Sequence, residues 1–296
     1  MSEQASLGSE WTGDAAVNDV LDVVHKTALA VRDALPERRA YVDRENPSGE
    51  RVRAADEYAD ELFSERLLAL EAVASYASEE RAEQQRADDG GEYHLALDPL
   101  DGSSNLRSNN PMGTIVGVYD EPLPASGDSL VAAAFVLYGP NTTMVVCDGE
   151  RVDEYLLEEA DRTVLREDVT LPADPTVYGF GGRRPDWTPG VTAVVEDFEA
   201  DRLKLRYGGA FIADVTQVFT HGGIFAYPEL DDTPEGKLRY CFECAPVGFA
   251  VEAAGGRVSD GYGDLLLNRP DELHERSPVY LGNAGLVERV EAELSS

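Results

Sequence analysis

The chain has 296 residues, 43% of them hydrophobic, enough to bury a sizeable core in one large domain or two subdomains. Its formal net charge is −32, from 57 acidic against 25 basic residues, and its lysines are Lys26, Lys204 and Lys237 alone. A field of that sign repels nucleic acid and anionic membranes, which excludes both as partners, and no apolar run approaches the length of a membrane span.

In chain order, the first 16 residues are polar and acidic and lack the basic and apolar parts of a signal peptide, so a cytoplasmic location is expected. Val20, Leu21, Val24, Ala28, Leu29 and Val31 predict a helix over 18–35, and Leu62, Leu67, Leu68 and Leu70 another over 55–73, with a loop at 46–49 between them. A charged loop over 81–91 leads to strands at 93–97 and 113–119. Runs at 130–138 and 142–147 flank Gly139-Pro140-Asn141 and predict a hairpin, and the acidic stretch 154–169 is placed on the surface. A second half begins near Leu171. Strands are predicted at 177–180, 224–227, 257–259 and 278–281, and helices at 189–198, 213–219 and 246–254, the last ended by Gly255-Gly256. The mixture predicts layered α/β (α+β) architecture in two subdomains, 1–170 and 171–296.

The richest segment is 97–105. Pro99 keeps Asp98 out of the helical region, so a turn is expected to start there, with Asp98 and Asp101 pointing into one pocket. Hard divalent cations take carboxylate and carbonyl oxygens, and Gly102, Ser103 and Ser104 offer backbone N–H groups to an anion beside them. Metal ligands next to a phosphate cradle point to metal-assisted phosphoryl chemistry, which needs further carboxylates converging from other elements. The candidates are Glu79 and Glu80, Glu50 and Asp56, and Glu243. Most single acidic residues in so acidic a chain are surface charge. Glu243 stands apart because it sits among apolar and small residues, where an unpaired charge is costly. Cys147, Cys241 and Cys244 are too few for a disulfide framework, and His25, His94, His221 and His274 show no metal spacing.

The 97–105 segment matches the signature of the lithium-sensitive, Mg²⁺-dependent sugar phosphatases, a superfamily containing inositol monophosphatases and fructose-1,6-bisphosphatases. Other blocks resemble the class I fructose-1,6-bisphosphatases: Asn46 to Asp56, Ser78-Glu79-Glu80, Arg206-Tyr207-Gly208-Gly209 through Tyr227-Pro228, and Lys237 through Glu243-Cys244-Ala245-Pro246 to Gly256. They keep order and spacing over about residues 18–281. Glu243 and Lys237 favour the bisphosphatase over the inositol phosphatase, and the lysine-poor acidic composition resembles that of haloarchaeal proteins.

The resemblance implies a layered αβαβα sugar-phosphatase fold. Its N-terminal subdomain would bind metal and phosphate and its C-terminal one the sugar phosphate. It implies hydrolysis of the 1-phosphate of fructose 1,6-bisphosphate with two or three Mg²⁺ per site, Mn²⁺ being an alternative, in a homo-oligomer, tetramer or dimer. Glu79, Asp98, Asp101, Glu243 and the Leu100 carbonyl would hold metal, with Glu80 a ligand or a neighbour of one. Glu50 and Asp56 would orient or deprotonate the attacking water. Asp101, Gly102, Ser103 and Ser104 would contact substrate. Tyr178, Arg206, Tyr207 and Lys237 would hold the sugar and its distal phosphate, Arg206 across a subunit boundary as one option, and Arg239 would sit near the reacting phosphate. The chain departs from the family at 178–184, where the usual Asn and a Tyr of the distal-phosphate site are missing and Arg183 or Arg184 are the candidate replacements. Glu92 stands where a basic residue usually precedes Tyr93, so inhibition by AMP of the family's usual kind is not expected. Two other readings stay open: another phosphatase of the superfamily, such as an inositol monophosphatase, and a non-catalytic acidic binding protein.

Overall fold

The computed structural model describes residues 10–47, 51–88 and 90–296, with only the backbone described for 41–45, 51 and 52. Helix α1 (Ala15–Ala34) starts where Asp14 accepts the N–H groups of Ala16 and Val17. Strands β1 (Tyr41–Glu45) and β2 (Arg51–Arg53) form a small antiparallel pair. Helix α2 (Ala54–Leu67) follows, and Asp56 accepts the N–H of Arg53 at 2.7 Å, satisfying a donor at the start of that helix. The predicted second helix therefore ends earlier than its apolar run. Val73 opens a strand, β3 (Val73–Ser78), because the run continues into a segment buried on both faces, where periodicity cannot separate helix from strand.

The large sheet adds β4 (Gln85–Arg86), β5 (Tyr93–Asp101), β6 (Met112–Tyr119), β7 (Leu130–Tyr138), β8 (Thr142–Cys147), β9 (Val152–Leu157) and β10 (Arg162–Arg166). Its order is β10-β9-β8-β7-β6-β5-β3-β4. The acidic stretch placed on the surface is in fact this β9–β10 hairpin. Its strand β9 buries Val152, Tyr155 and Leu157, while the acidic residues lie between them and in the loops. Trp11 packs edge-on against Tyr155 and beneath the Arg162 guanidinium, closing that end.

The second half supplies β11 (Val177–Phe180), α3 (Pro189–Ala200), β12 (Lys204–Leu205), α4 (Phe211–His221), β13 (Gly223–Tyr227), β14 (Leu238–Arg239), α5 (Ala245–Ala253), β15 (Arg257–Ser259), β16 (Arg276–Ser277), β17 (Val279–Gly282) and α6 (Ala284–Leu294). The last of these went unread in the sequence. Five strands form the small sheet in the order β12-β11-β13-β17-β15. A short pair of β14 with β16 stands apart.

Three buried cores separate five layers. α1 and α2 cover one face of the large sheet through Val20, Leu21, Val24, Phe63, Leu95, Leu97 and Val116. α4 and α5 lie between the two sheets, with Phe211, Ile212, Val215, Val247 and Val251 packed among Ile115, Phe135, Phe225 and Leu281. α3 and α6 cover the outer face of the small sheet through Val191, Val195, Phe198 and Val287. This is an αβαβα sandwich. Among the described residues no helix is long and apolar enough to cross a membrane.

Candidate active site

Strand β5 runs on through Pro99 to Asp101 rather than turning at Asp98. Pro99 has no N–H to give the ladder, and the register against β6 shifts between Asp98 and Asp101. The turn comes at Gly102, in the left-handed region at φ +71°, where a side chain would also collide with Ala210. The short turn Ser103–Arg107 follows.

Around this strand end lies a pocket of about 180 Å³. It is lined by the carboxylates Asp56, Glu79, Glu80, Asp98, Asp101 and Glu243 with Asn46, Leu100, Gly102 to Ser104 and Arg239, and further by Gly209, Tyr227, Lys237 and Leu238. Glu79 and Glu80 sit on the turn after β3, which is tied to β5 by the Glu79 N–H on the Leu97 carbonyl at 3.0 Å. Glu243 sits on a wide π-type turn, Tyr240–Cys244, just before α5, and its carboxylate accepts the N–H of Arg239 at 2.7 Å. Glu79, Asp98 and Glu243 are buried, and each brings a carboxylate oxygen within 4.8 Å of the others. The Arg239 guanidinium lies 2.6 Å from Glu79 and 3.8 Å from Glu243.

The electrostatics follow from this crowding. Burial, then Glu79, pushes the Asp98 carboxyl well above the ordinary range, and the same two causes push Glu243 and Glu80 up to about 8. Burial raises Asp101 to about 6, its rise held down by the N–H groups of Ile212 and Phe211 at 2.7 and 3.2 Å, the first donors of α4. Asp56 is likewise raised to about 6, chiefly by burial. One Glu80 oxygen is buried without a hydrogen-bond partner. One guanidinium does not balance so many buried carboxylates. The site has the donor set, all oxygen, that a hard divalent cation takes, so the residues fit such an ion.

The opposite wall is of a different kind. Tyr227, at the end of β13, has its hydroxyl 3.4 Å from that of Tyr207, and the Lys237 ammonium lies 5.7 Å from the Tyr227 ring. Asp214, in the first turn of α4, accepts the N–H groups of Gly208 and Gly209, while Asn105 donates to the Gly208 carbonyl. These bonds fix the segment after Arg206 and Tyr207. Tyr207 is 49% exposed; Arg206 is half-buried, and neither lines the pocket directly.

Two expectations fail here. Tyr178 does not face the pocket: side chains alternate along β11, so its ring enters the α3–α6 core and its hydroxyl donates to Glu199 at 2.8 Å. The position facing the other way is Gly179, where a side chain would meet the Arg206 carbonyl. Nor do Arg183 and Arg184 replace the missing groups of the 178–184 segment. Arg183 is almost fully exposed beside Asp186, and Arg184 pairs with Glu196 at 2.7 Å. Glu50 lies outside the described residues. Asn46 and Leu238 line the pocket without having been singled out individually, and nothing in their residue types marks them beforehand.

Two protein-family models match the chain: "Fructose-1-6-bisphosphatase, N-terminal domain" over residues 20–165 and "Fructose-1-6-bisphosphatase, C-terminal domain" over 171–295. The chain is 59% identical to a fructose-1,6-bisphosphatase class 1 of Natronomonas pharaonis, over 94% of this chain and 99% of that one. It is 51% identical to one from Haloarcula marismortui, over 97% of each. Among solved structures it resembles the Leishmania major fructose-1,6-bisphosphatase in holo form (TM-score 0.93, 24% identity, 98% of this chain and 100% of that one), a likeness of fold. It also resembles a putative sedoheptulose-1,7 bisphosphatase from Toxoplasma gondii (TM-score 0.88, 26% identity, 97% and 96% covered). The carboxylate pocket, the layered fold and these similarities agree, and the chain belongs to the class 1 fructose-1,6-bisphosphatase family.

Proposed function

We propose that this protein hydrolyses the 1-phosphate of fructose 1,6-bisphosphate to fructose 6-phosphate and phosphate, a phosphoric monoester hydrolysis serving gluconeogenesis, with Mg²⁺ as its cofactor. The observation that carries the reading is the buried triad Glu79, Asp98 and Glu243, whose oxygens converge within 4.8 Å at the foot of a pocket whose other wall carries Lys237. Negative charge gathered at one end and a cation at the other suits a substrate with two phosphates, one reacting and one held.

In this reading Glu79, Asp98, Asp101, Glu243 and the Leu100 carbonyl hold the cations, two or three of them, with Glu80, which lines the same pocket, a ligand or a neighbour of one. When bound, such ions neutralise phosphoryl oxygens and stabilise the leaving alkoxide. The backbone N–H groups at Gly102 to Ser104 receive the reacting phosphate, and Arg239, anchored on Glu79, lies against it. Asp56, with a carboxyl raised to about 6, is suited to hold or accept a proton of the attacking water near neutral pH, with Glu50 as its partner. Lys237 and Tyr207 bind the sugar and its distal phosphate, and Arg206, which does not line its own pocket, serves that end from a neighbouring copy in a homo-oligomer. Tyr178 has no part. The cytoplasm is its proposed location. Glu92 borders a surface groove with Asp19 and Glu71, and the neighbouring Tyr93 hydroxyl already donates to Asp14 at 2.8 Å, surroundings that disfavour an anionic nucleotide.

Family membership and the buried carboxylates weigh against a non-catalytic binding protein, and Lys237 with Glu243 against an inositol phosphatase. The test is phosphate release at molar KCl from fructose 1,6-bisphosphate and from inositol 1-phosphate, with and without Mg²⁺. Release from the bisphosphate alone, abolished by chelation, is expected. Equal release from both substrates, or release untouched by chelation, overturns the reading.

A further inference from the structure

Under the floor of the pocket lies a second charge pair that no step of the proposed reaction uses. Asp60 stands one turn after Asp56 on α2 and is 2% exposed. Arg81 follows directly on Glu80. Its Nε is 2.6 Å from Asp60 Oδ2, and its Nη2 donates to Ser64 Oγ at 3.3 Å. The other Asp60 oxygen accepts the hydroxyl of the fully buried Tyr76, on β3, at 3.1 Å. On its far side the Arg81 carbonyl lies 2.7 Å from His274 Nε2.

The Glu79–Glu80 turn is also held by main-chain bonds, by the Ser78 hydroxyl and, through the Glu79 carboxylate, by Arg239. The Glu79 N–H bonds to Leu97 on β5, the Arg81 N–H to Ser78 and the Glu80 N–H to the Ser78 hydroxyl. Those bonds fix the turn to the large sheet and to itself. Its tie to α2 is made by Arg81, onto Asp60 and Ser64. Asp56 therefore reaches the pocket from one side of the Asp60–Arg81 pair, and Glu79 and Glu80 from the other.

We infer that Asp60 and Arg81 are positioning residues: their buried pair sets the spacing between Asp56 on α2 and the Glu79–Glu80 turn. The pair also matters electrostatically. Asp60 is one more buried carboxylate beside the pocket's Asp56, Glu79, Asp98, Asp101 and Glu243, and Arg81 answers its charge locally, so that the cation-holding end keeps its own charge balance. The inference rests on the roles proposed above for Asp56, Glu79 and Glu80. Groups that hold metal ligands in place without touching the ion typically change metal affinity or activity by about 10- to 100-fold when altered. A misplacement of about 1 Å in reacting groups has an effect of similar size.

The test uses the full chain at molar KCl with Asp60→Asn and Arg81→Lys. Four quantities are measured: kcat, KM for fructose 1,6-bisphosphate, the Mg²⁺ concentration at half-maximal rate, and the rise in Tm that Mg²⁺ produces after chelation. Asp60→Asn is expected to lower kcat about tenfold or more, to raise the half-maximal Mg²⁺ about tenfold and to shrink the Mg²⁺-induced rise in Tm. KM is expected to stay within about twofold of wild type, because the sugar wall is untouched. Arg81→Lys keeps the charge but not the two-armed grip, and is expected to fall between Asp60→Asn and wild type. A variant that loses Tm in chelator yet keeps the wild-type kcat and Mg²⁺ response shows a structural pair only and overturns the inference. If Asp60→Asn does not fold, a wild-type Mg²⁺ response in Arg81→Lys overturns it alone. A wild-type protein with no Mg²⁺ response would instead overturn the functional reading, before any variant is compared.

Discussion

The two walls of the pocket are built on different principles. The carboxylate wall comes from the ends of β3 and β5, the start of α2 and the turn before α5, and its Glu79, Asp98, Asp101 and Glu243 are all buried. Three are fixed by main-chain donors, Asp98 by the Leu100 N–H at 2.9 Å, Asp101 by the first donors of α4 and Glu243 by the Arg239 N–H, while Glu79 pairs with the Arg239 guanidinium. The sugar wall is open. Tyr207 is half exposed, and the residues around it are fixed through the backbone of Gly208 and Gly209 rather than through their own side chains. The first wall crowds buried carboxylates, which pushes their carboxyls up and suits a bound cation. The second is more open, and its contribution is an attraction read by the substrate.

If that contrast is right, the largest losses come from the first wall. Asp98→Asn or Glu243→Gln removes a buried charge from the cation-holding set, and a fall in kcat of about 10²-fold or more is expected, as for removal of a key electrostatic group elsewhere. The same change relieves crowding among Glu79, Asp98 and Glu243, so the chelated variant should be at least as stable as chelated wild type while losing most of its Mg²⁺-induced rise in Tm. For wild type that rise should correspond to about 2.7 kcal/mol at a Mg²⁺ concentration 100 times Kd. Turnover close to wild type in either variant, at saturating Mg²⁺, would break the comparison at its stronger side.

A smaller and different effect is expected across the pocket. Lys237→Ala removes a charge-assisted contact worth about 1.5–3 kcal/mol. KM for fructose 1,6-bisphosphate should rise by roughly 10- to 100-fold with the Mg²⁺ response unchanged, and a substrate lacking the 6-phosphate should be much less affected. Equal losses on both substrates would mean that Lys237 does not read the distal phosphate. A shifted Mg²⁺ response would mean that the two walls are not independent.

The same contrast governs what the sequence discloses. Asp98, Leu100, Asp101 and Gly102 to Ser104 share one short segment, so a local motif carries the centre of the first wall. Pro99 announced an interruption there, although the strand resumes to Asp101 and turns only at Gly102. The layered α/β order was legible from alternating helix and strand periods. β3 was not, because its residues continue the apolar run of α2, and neither was the β9–β10 hairpin, whose acidic residues masked the buried Val152, Tyr155 and Leu157. Asp60 and Arg81 gave no signal, being two charges far apart in a chain with 57 acidic residues. The second wall depends on which face of a strand a side chain takes, and in β11 a shift of one residue separates the pocket from the outer core.

Tyr178 makes that last point testable, with the smallest effect expected. Its ring lies 4% exposed among Phe180, Ile224 and Val195, on the side of the small sheet away from Lys237, and its hydroxyl meets only the exposed end of Glu199 among the described contacts. Tyr178→Phe keeps the ring volume and removes that one hydrogen bond. The expected cost is about 0.5–1.5 kcal/mol of stability, toward the low end because Glu199 can turn to water. A modest fall in Tm should therefore accompany values of kcat and KM for fructose 1,6-bisphosphate within about twofold of wild type. A tenfold rise in KM with Tm unchanged would put the hydroxyl on the substrate after all, and the face assigned to β11 would be wrong.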